Sequence, residues 1–230
     1  MSPLLGKEGE LKGVVQKGAF MELSKSLNEY LTELSSNSPT PGGGNVAALC
    51  GTLSASLGTM VCNLTIGKKK YAEVESEMTT IKTELEKYRT IFSELGQKDN
   101  AAFNKVMEVF KLPKETDGDK EIRSKKIEEA TIGAAEIPLE VLKNCIEMLP
   151  LLKTVGEKGN KNSLSDAGVA VAVIQAAAKG AYLNVMINCS SLQNQTIANE
   201  IRKSTDIIID EITRVSNYIF EFITKSILNS

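Results

Sequence analysis

The sequence predicts an all-α bundle built round two nearly uncharged central helices, and three observations carry that prediction. No stretch alternates apolar and polar residues as a half-buried strand does; even the β-branched run 207–209 falls within helical spacing. Ala, Gly and Ser are abundant and Trp is absent, a composition suited to closely packed helices rather than a β sandwich. Finally, residues 44–65 carry no charge and residues 165–188 almost none, while the segments around them are amphipathic. A chain of 230 residues is long enough to bury such a core as one domain without disulfides.

The elements follow in order. Residues 1–20 mix Gly and Lys without sustained periodicity and read as an extension outside the core, leaving 21–230 as the helical domain. From Met21, Leu23, Leu27, Tyr30, Leu31 and Leu34 share one helical face, and SSNSPTP ends that helix because proline cannot continue it. Residues 44–65 are long enough to raise the question of a membrane span. Recurrent Thr52, Ser54, Ser56, Thr59 and Asn63, with a small-residue stripe of Ala47, Gly51, Ala55 and Gly58, argue for a buried bundle helix instead. A helix over 72–109 should break near Gly96, which would make Asp99 a cap; Pro113 and Gly118 mark the loop that follows. Over 119–157, Pro138 and Pro150 should kink or divide the helix. The second central helix spans 165–188 and a last amphipathic one 195–227. Two such apolar helices in a modest bundle also predict surface buried between subunits, as in a homodimer.

Composition narrows the chemistry. With 27 Lys plus Arg against 29 Asp plus Glu, no overall field recruits nucleic acid or an acidic membrane surface. Histidine is absent, so it cannot serve as base, nucleophile or metal ligand, and proton transfer falls to carboxylates, lysines, tyrosine, cysteine or water. Cys50, Cys62, Cys145 and Cys189 form no CxxC pair and sit in apolar segments, as reduced core cysteines do. Without a signal-like N-terminus, the expected location is the cytoplasm.

Polar clusters abut the central helices. PTPGGGN ends in Gly42, Gly43 and Gly44 at a helix start, where backbone N–H groups and the helix dipole favour an anion; a turn without a ligand is the alternative. It is not a Walker or Rossmann loop, lacking the Lys-Ser/Thr pair and a preceding strand. At the other end of that helix, NLTIGKKKY offers Asn63, Gly67 as a C′ residue, Lys68, Lys69, Lys70 and Tyr71; cations there complement the dipole or meet a ligand's carboxylate or phosphate. GNKNSLSDAG supplies Asn160 and places Asp166 in a first turn, against a wall of Ala and Val that could raise its pKa. Asn184 and Asn188 share a face four residues apart, bonded to each other or to a ligand. Asn45 and Asn63 are eighteen residues apart, as are Asp166 and Asn184, so each central helix carries polar groups at both ends of one face. Those ends lie roughly 27 Å apart at ~1.5 Å per residue.

Taken in order, PTPGGGNVAAL, NLTIGKKKY, DNAAFNKVM with LPK, GNKNSLSDAGVA and NVMIN resemble the cyclodeaminase/cyclohydrolase family of folate enzymes, over most of the chain from about Met21. The resemblance implies an all-helical dimer with its site in a cleft near the dimer interface. It also implies either hydrolysis of 5,10-methenyltetrahydrofolate to 10-formyltetrahydrofolate, or cyclisation of 5-formiminotetrahydrofolate with loss of ammonia. It implies Asp166 as principal acid or base, Asp99 as helper or pterin anchor, and Lys68 assisting proton transfer or holding a carbonyl oxygen. Lys69 and Lys70 would pair with glutamate carboxylates, Tyr71 would belong to the same binding cluster, and Gly42, Gly43 and Gly44 would give backbone donors. Asn63, Asn160, Asn184 and Asn188 would orient the ligand, with no cofactor or metal beyond the folate. The formimino-transferring domain is missing from this chain, so a separate formiminotransferase is an expected partner of the cyclodeaminase reading. The non-catalytic rival is a helical dimerisation module.

Overall fold

The computed structural model describes residues 25–229, and all regular structure in them is helical. The extension 1–20 and the expected helix start at Met21 and Leu23 lie outside the described residues. Helix α1 (Leu27–Leu34) begins with a capping box in which Ser26 and Glu29 exchange hydrogen bonds. Helix α2 (Gly43–Thr65) enters from Gly42 without a side-chain cap and ends before Gly67, whose φ of 78° makes it the expected C′ glycine. A 3-10 turn (Lys69–Val74) leads into α3 (Glu75–Val109). Helix α4 (Asp117–Lys158) starts on a second capping box, Thr116 with Asp119. A short 3-10 turn (Lys161–Ser163) precedes α5 (Leu164–Ser190), and α6 (Gln195–Leu228) closes the chain with Asn194 as its cap.

Helix α2 packs on α3 and α5, while α4 lies against α3, α5 and α6. Phe92, Leu85 and Met78 of α3 meet Leu142, Met148 and Leu149 of α4 in the core. The small stripe of α2 makes this packing close: a side chain at Gly51 would overlap the Phe92 ring. Ala47 lies beside Gly180, and Ser54 donates to the Ala170 carbonyl at 2.7 Å. Since the first pair is earlier on α2 and later on α5, the two helices run antiparallel. That places the start of α2 beside the C-terminal half of α5.

The break expected near Gly96 and the divisions expected as one outcome at Pro138 and Pro150 are all absent. Helix α3 runs unbroken through Gly96, because α2 packs there and the Asn45 side chain donates to the Gly96 carbonyl at 2.8 Å. Asp99 is therefore an interior residue of α3, not a cap. Helix α4 likewise contains both Pro138 and Pro150 without dividing. Pro138 has no N–H for the Ala134 carbonyl, and Asn188 of α5 supplies the missing donor at 3.0 Å. Pro150 lies on the exposed face of the same helix.

Helices α2 and α5 are long and apolar enough to cross a membrane by length and composition. In the bundle their inner faces are buried, but Leu53, Met60 and Leu64 of α2 and Val169, Leu183 and Ile187 of α5 remain exposed. All four cysteines are free, with Cys62, Cys145 and Cys189 buried and Cys50 partly so.

Candidate active site

The antiparallel pairing sorts the polar clusters into two ends of the bundle. One end holds a cleft of about 300 Å³ lined by Gly42, Gly43 and Gly44, by Asp99 and Phe103 of α3, and by Asn184 and Asn188 of α5. Asp99 and Phe103 share one face of α3 with Val106, so a single helical stripe supplies that wall.

The start of α2 and the Asp99 carboxylate fit one another. A Cβ at Gly44 would overlap that carboxylate, so glycine is what lets it lie against the helix start. There it accepts the Asn45 backbone N–H, serving from another helix as the cap that Gly42 cannot provide. Burial pushes the Asp99 pKa up to about 6, the hydrogen bond from Asn45 opposing it. The carboxylate is thus poised to exchange a proton near neutrality.

The asparagines are not satisfied by each other. Asn184 donates to the Gly180 carbonyl of its own helix at 2.9 Å and Asn188 to Ala134 across the bundle. Each side-chain oxygen receives no hydrogen bond among the described residues, and both residues line the cleft. Gly43 faces the Asn184 amide at ordinary contact distance and is itself exposed.

The other end collects Asn63, Lys68, Lys69, Lys70, Tyr71, Asn160 and Asp166. Asn160 is a structural pin there: its N–H donates to Thr65 Oγ1 at 2.9 Å, its amide to the Leu64 carbonyl at 2.8 Å, and its oxygen accepts from Asn162 N–H at 3.1 Å. The Tyr71 hydroxyl donates to Asn160 Oδ1 and accepts from Lys161 N–H. Both residues tie the end of α2 to the start of α5, with no polar group left for a ligand from Asn160. Lys70 lies over the Tyr71 ring, with Nζ 5.6 Å from its centroid, while Asn63, Lys68 and Lys69 are exposed. Asp166 is half-buried in the first turn of α5, and its carboxylate makes no hydrogen bond or ion pair among the described residues. Within one chain it does not face Gly42, Gly43 and Gly44, because five helical turns separate it from Asn184, roughly 27 Å.

Sequence spacing marks Asn45 only as a polar end of α2, eighteen residues before Asn63, and gives it no role in the site; it is buried at the cleft end and hydrogen-bonded through side chain and backbone. Its signal was its position: an asparagine in the first turn of an otherwise uncharged helix. Among the described residues no group of three or more His, Cys, Asp or Glu could hold a metal ion.

Comparison with known proteins agrees with this architecture. The formiminotransferase-cyclodeaminase family model matches residues 26–206. Methenyltetrahydrofolate cyclohydrolase of Methylorubrum extorquens is 39% identical over 204 residues, spanning 89% of this chain and 98% of that protein. Formimidoyltransferase-cyclodeaminase of Gallus gallus is 28% identical over 98% of this chain, which spans only 42% of that longer relative. The crystal structure of formiminotetrahydrofolate cyclodeaminase from Thermotoga maritima matches with a TM-score of 0.75 at 29% identity, covering 89% of this chain and 96% of the other. A family match that spans the first five helices and the start of the sixth, on a bundle of the same fold, places the chain in the formiminotransferase-cyclodeaminase family.

Proposed function

We propose that this chain hydrolyses 5,10-methenyltetrahydrofolate to 10-formyltetrahydrofolate, with Asp99 as the proton-transfer group. The observation that carries the reading is a carboxylate of pKa about 6 in a cleft of side-chain amides and backbone N–H groups. The near full-length similarity to a methenyltetrahydrofolate cyclohydrolase supports it. The methenyl carbon is a cationic electrophile between N5 and N10. Ionised Asp99 takes a proton from water as the water oxygen bonds that carbon, giving a neutral tetrahedral carbinol. Protonated Asp99 then returns the proton to N5 as the carbon–N5 bond breaks, and the carbinol proton leaves to solvent as the formyl carbonyl forms. A pKa just below neutrality suits both halves, and the free oxygens of Asn184 and Asn188 accept from the pterin's N–H groups. The purified protein is expected to accelerate loss of the methenyl chromophore well above the buffer rate. A rate equal to buffer, with no binding, ends the hydrolase reading and leaves the dimerisation module.

The cyclodeaminase reading rests on the similarity to the Thermotoga maritima formiminotetrahydrofolate cyclodeaminase, 96% of whose chain this one covers. It uses the same cleft with ammonia as leaving group and a separate formiminotransferase upstream. Ammonia release from 5-formiminotetrahydrofolate, exceeding methenyl hydrolysis, would select it.

We further propose a cytoplasmic homodimer in which a second copy covers the exposed apolar stripes of α2 and α5. The cleft rim at Gly43 and Ile187 lies on that side of the bundle, so the partner would close its mouth. Asp166 and Asn184 lie at opposite ends of one face of α5. A twofold axis perpendicular to α5 would set the partner subunit's Asp166, with its lysine cluster, over the Asn184 end of this cleft. Asp166 would then act there as the second acid or base, and Lys68, Lys69 and Lys70 would meet the glutamate carboxylates. The protein should run as a detergent-free dimer, and Asp99→Asn and Asp166→Asn should each be inactive alone. Mixed and reassembled at equal amounts, they should recover about one quarter of wild-type activity, since half the dimers carry one intact site of two. No recovery on mixing, or an active Asp166→Asn, would remove Asp166 from a shared site.

A further inference from the structure

We infer that Asn45, held by Tyr30 of α1, is a positioning residue that fixes the Asp99 carboxylate against the start of α2. The inference rests on Asp99 being the proton-transfer group. It arises from the number of connections made by one buried side chain. Asn45 is 3% exposed, and its amide donates to the Gly96 carbonyl of α3 at 2.8 Å. Gly96 lies one turn before Asp99 on the same helix. The Asn45 backbone N–H meanwhile faces the Asp99 carboxylate, which lies so close against the neighbouring Gly44 that a Cβ there would overlap it. Two bonds from a single residue of α2 thus grip α3 on both sides of the turn that carries the carboxylate.

Tyr30 completes the arrangement. Its hydroxyl donates to Asn45 Oδ1 at 2.9 Å, which obliges the Asn45 amide nitrogen to face Gly96. Among the described residues, Tyr30 is the α1 side chain that hydrogen-bonds another helix, and α1 has no fully buried residue of its own. The seating of α1 on the bundle and the placement of the carboxylate are therefore linked through one amide. Around Asp99 itself, α2 offers the Gly44–Asn45 backbone, α4 offers Ala134, α5 offers Asn184 and Asn188, and α3 adds Phe103 and Val106. None of these titrates, and Tyr30 stays protonated because burial pushes its phenol up. The remaining control over the carboxylate is the Asn45 hydrogen bond, which favours the anion against its burial.

Removing the clamp loosens that bond while the apolar walls stay. Asn45→Ala keeps the backbone N–H but no longer holds it in place, and since one hydrogen bond to a charged group is a factor of ~10 in ionisation, the Asp99 midpoint should rise by up to about one unit. The experiment compares Asn45→Ala and the gentler Tyr30→Phe with wild type in kcat across pH 5 to 9, and follows the Asp99 carboxyl carbon by NMR titration. At pH 7 the Asn45→Ala rate should fall from about nine-tenths of its alkaline plateau toward one-half, the limit set by a full unit, with the plateau itself largely kept. Tyr30→Phe should move the same way by less, and KM should change little in either. The carboxyl titration reads the clamp without turnover, so a shifted midpoint in a protein inactive on folate would sink the catalytic reading and keep the clamp. An unmoved midpoint, in folded variants whose rate falls equally at every pH, overturns the inference.

Discussion

Replacing Asp99 with Asn is expected to abolish turnover and, at the same time, to make the protein more stable above pH 6. The activity loss follows from removing the group that moves the proton, a contribution of roughly 10²–10⁴-fold. The stability gain follows from burial. The folded pKa of Asp99, about 6, lies above its ordinary value of 3.8, so the folded state binds the extra proton between those pH values. The cost of the buried charge is therefore absent below about pH 4, grows as pH rises through that window, and is complete above about pH 6. Asn keeps an oxygen for the Asn45 N–H but carries no charge. The full shift corresponds to about 3 kcal/mol, and partial solvation of the carboxylate leaves roughly half of it. Denaturant midpoints at pH 4 and pH 7.5 check this: wild type and variant should coincide at the lower pH, and the variant should lead by about 1–2 kcal/mol at the higher. A variant that is less stable at pH 7.5 would mean that Asp99 serves the fold as a cap more than it costs as a buried charge.

That trade between charge and burial also marks where sequence reading stopped. Helix identities were legible because each rests on local periodicity and punctuation. SSNSPTP ends α1, Gly67 closes α2, and the uncharged runs are the two central helices. Breaks at Gly96, Pro138 and Pro150 were over-read because the groups that remove the penalty come from elsewhere: Asn45 fills the approach to Gly96, and Asn188 donates to the carbonyl that Pro138 strands. The candidate site divides the same way. Gly44 and Asp99 were each visible, but no local signal pairs residues fifty-five positions apart in such contact. Conversely, Asn160 looks like a ligand-binding group until its donors and acceptors are traced to Thr65, Leu64 and Asn162. Residues of one chemical type thus split into structural pin and cleft wall according to contacts that only the fold supplies.

Gly44→Ala should cost at least ~100-fold in kcat with little loss of stability, whereas Gly43→Ala should stay within several-fold of wild type. The two glycines are adjacent in the same first turn and both gain helix propensity from Ala, by up to about 1 kcal/mol. They differ in what the new methyl would meet. At Gly44 it overlaps the Asp99 carboxylate and must drive it away from the Asn45 N–H. At Gly43 it meets the Asn184 amide at 3.4 Å, an ordinary contact. A glycine-rich helix start that served only to bring N–H groups to a ligand would respond alike at both positions, mainly in KM. Steady-state kinetics on methenyltetrahydrofolate, with thermal melts of both variants, separate these cases. A near-normal Gly44→Ala, or equal defects at both glycines, would detach the glycine run from the placement of Asp99 and return it to direct ligand contact.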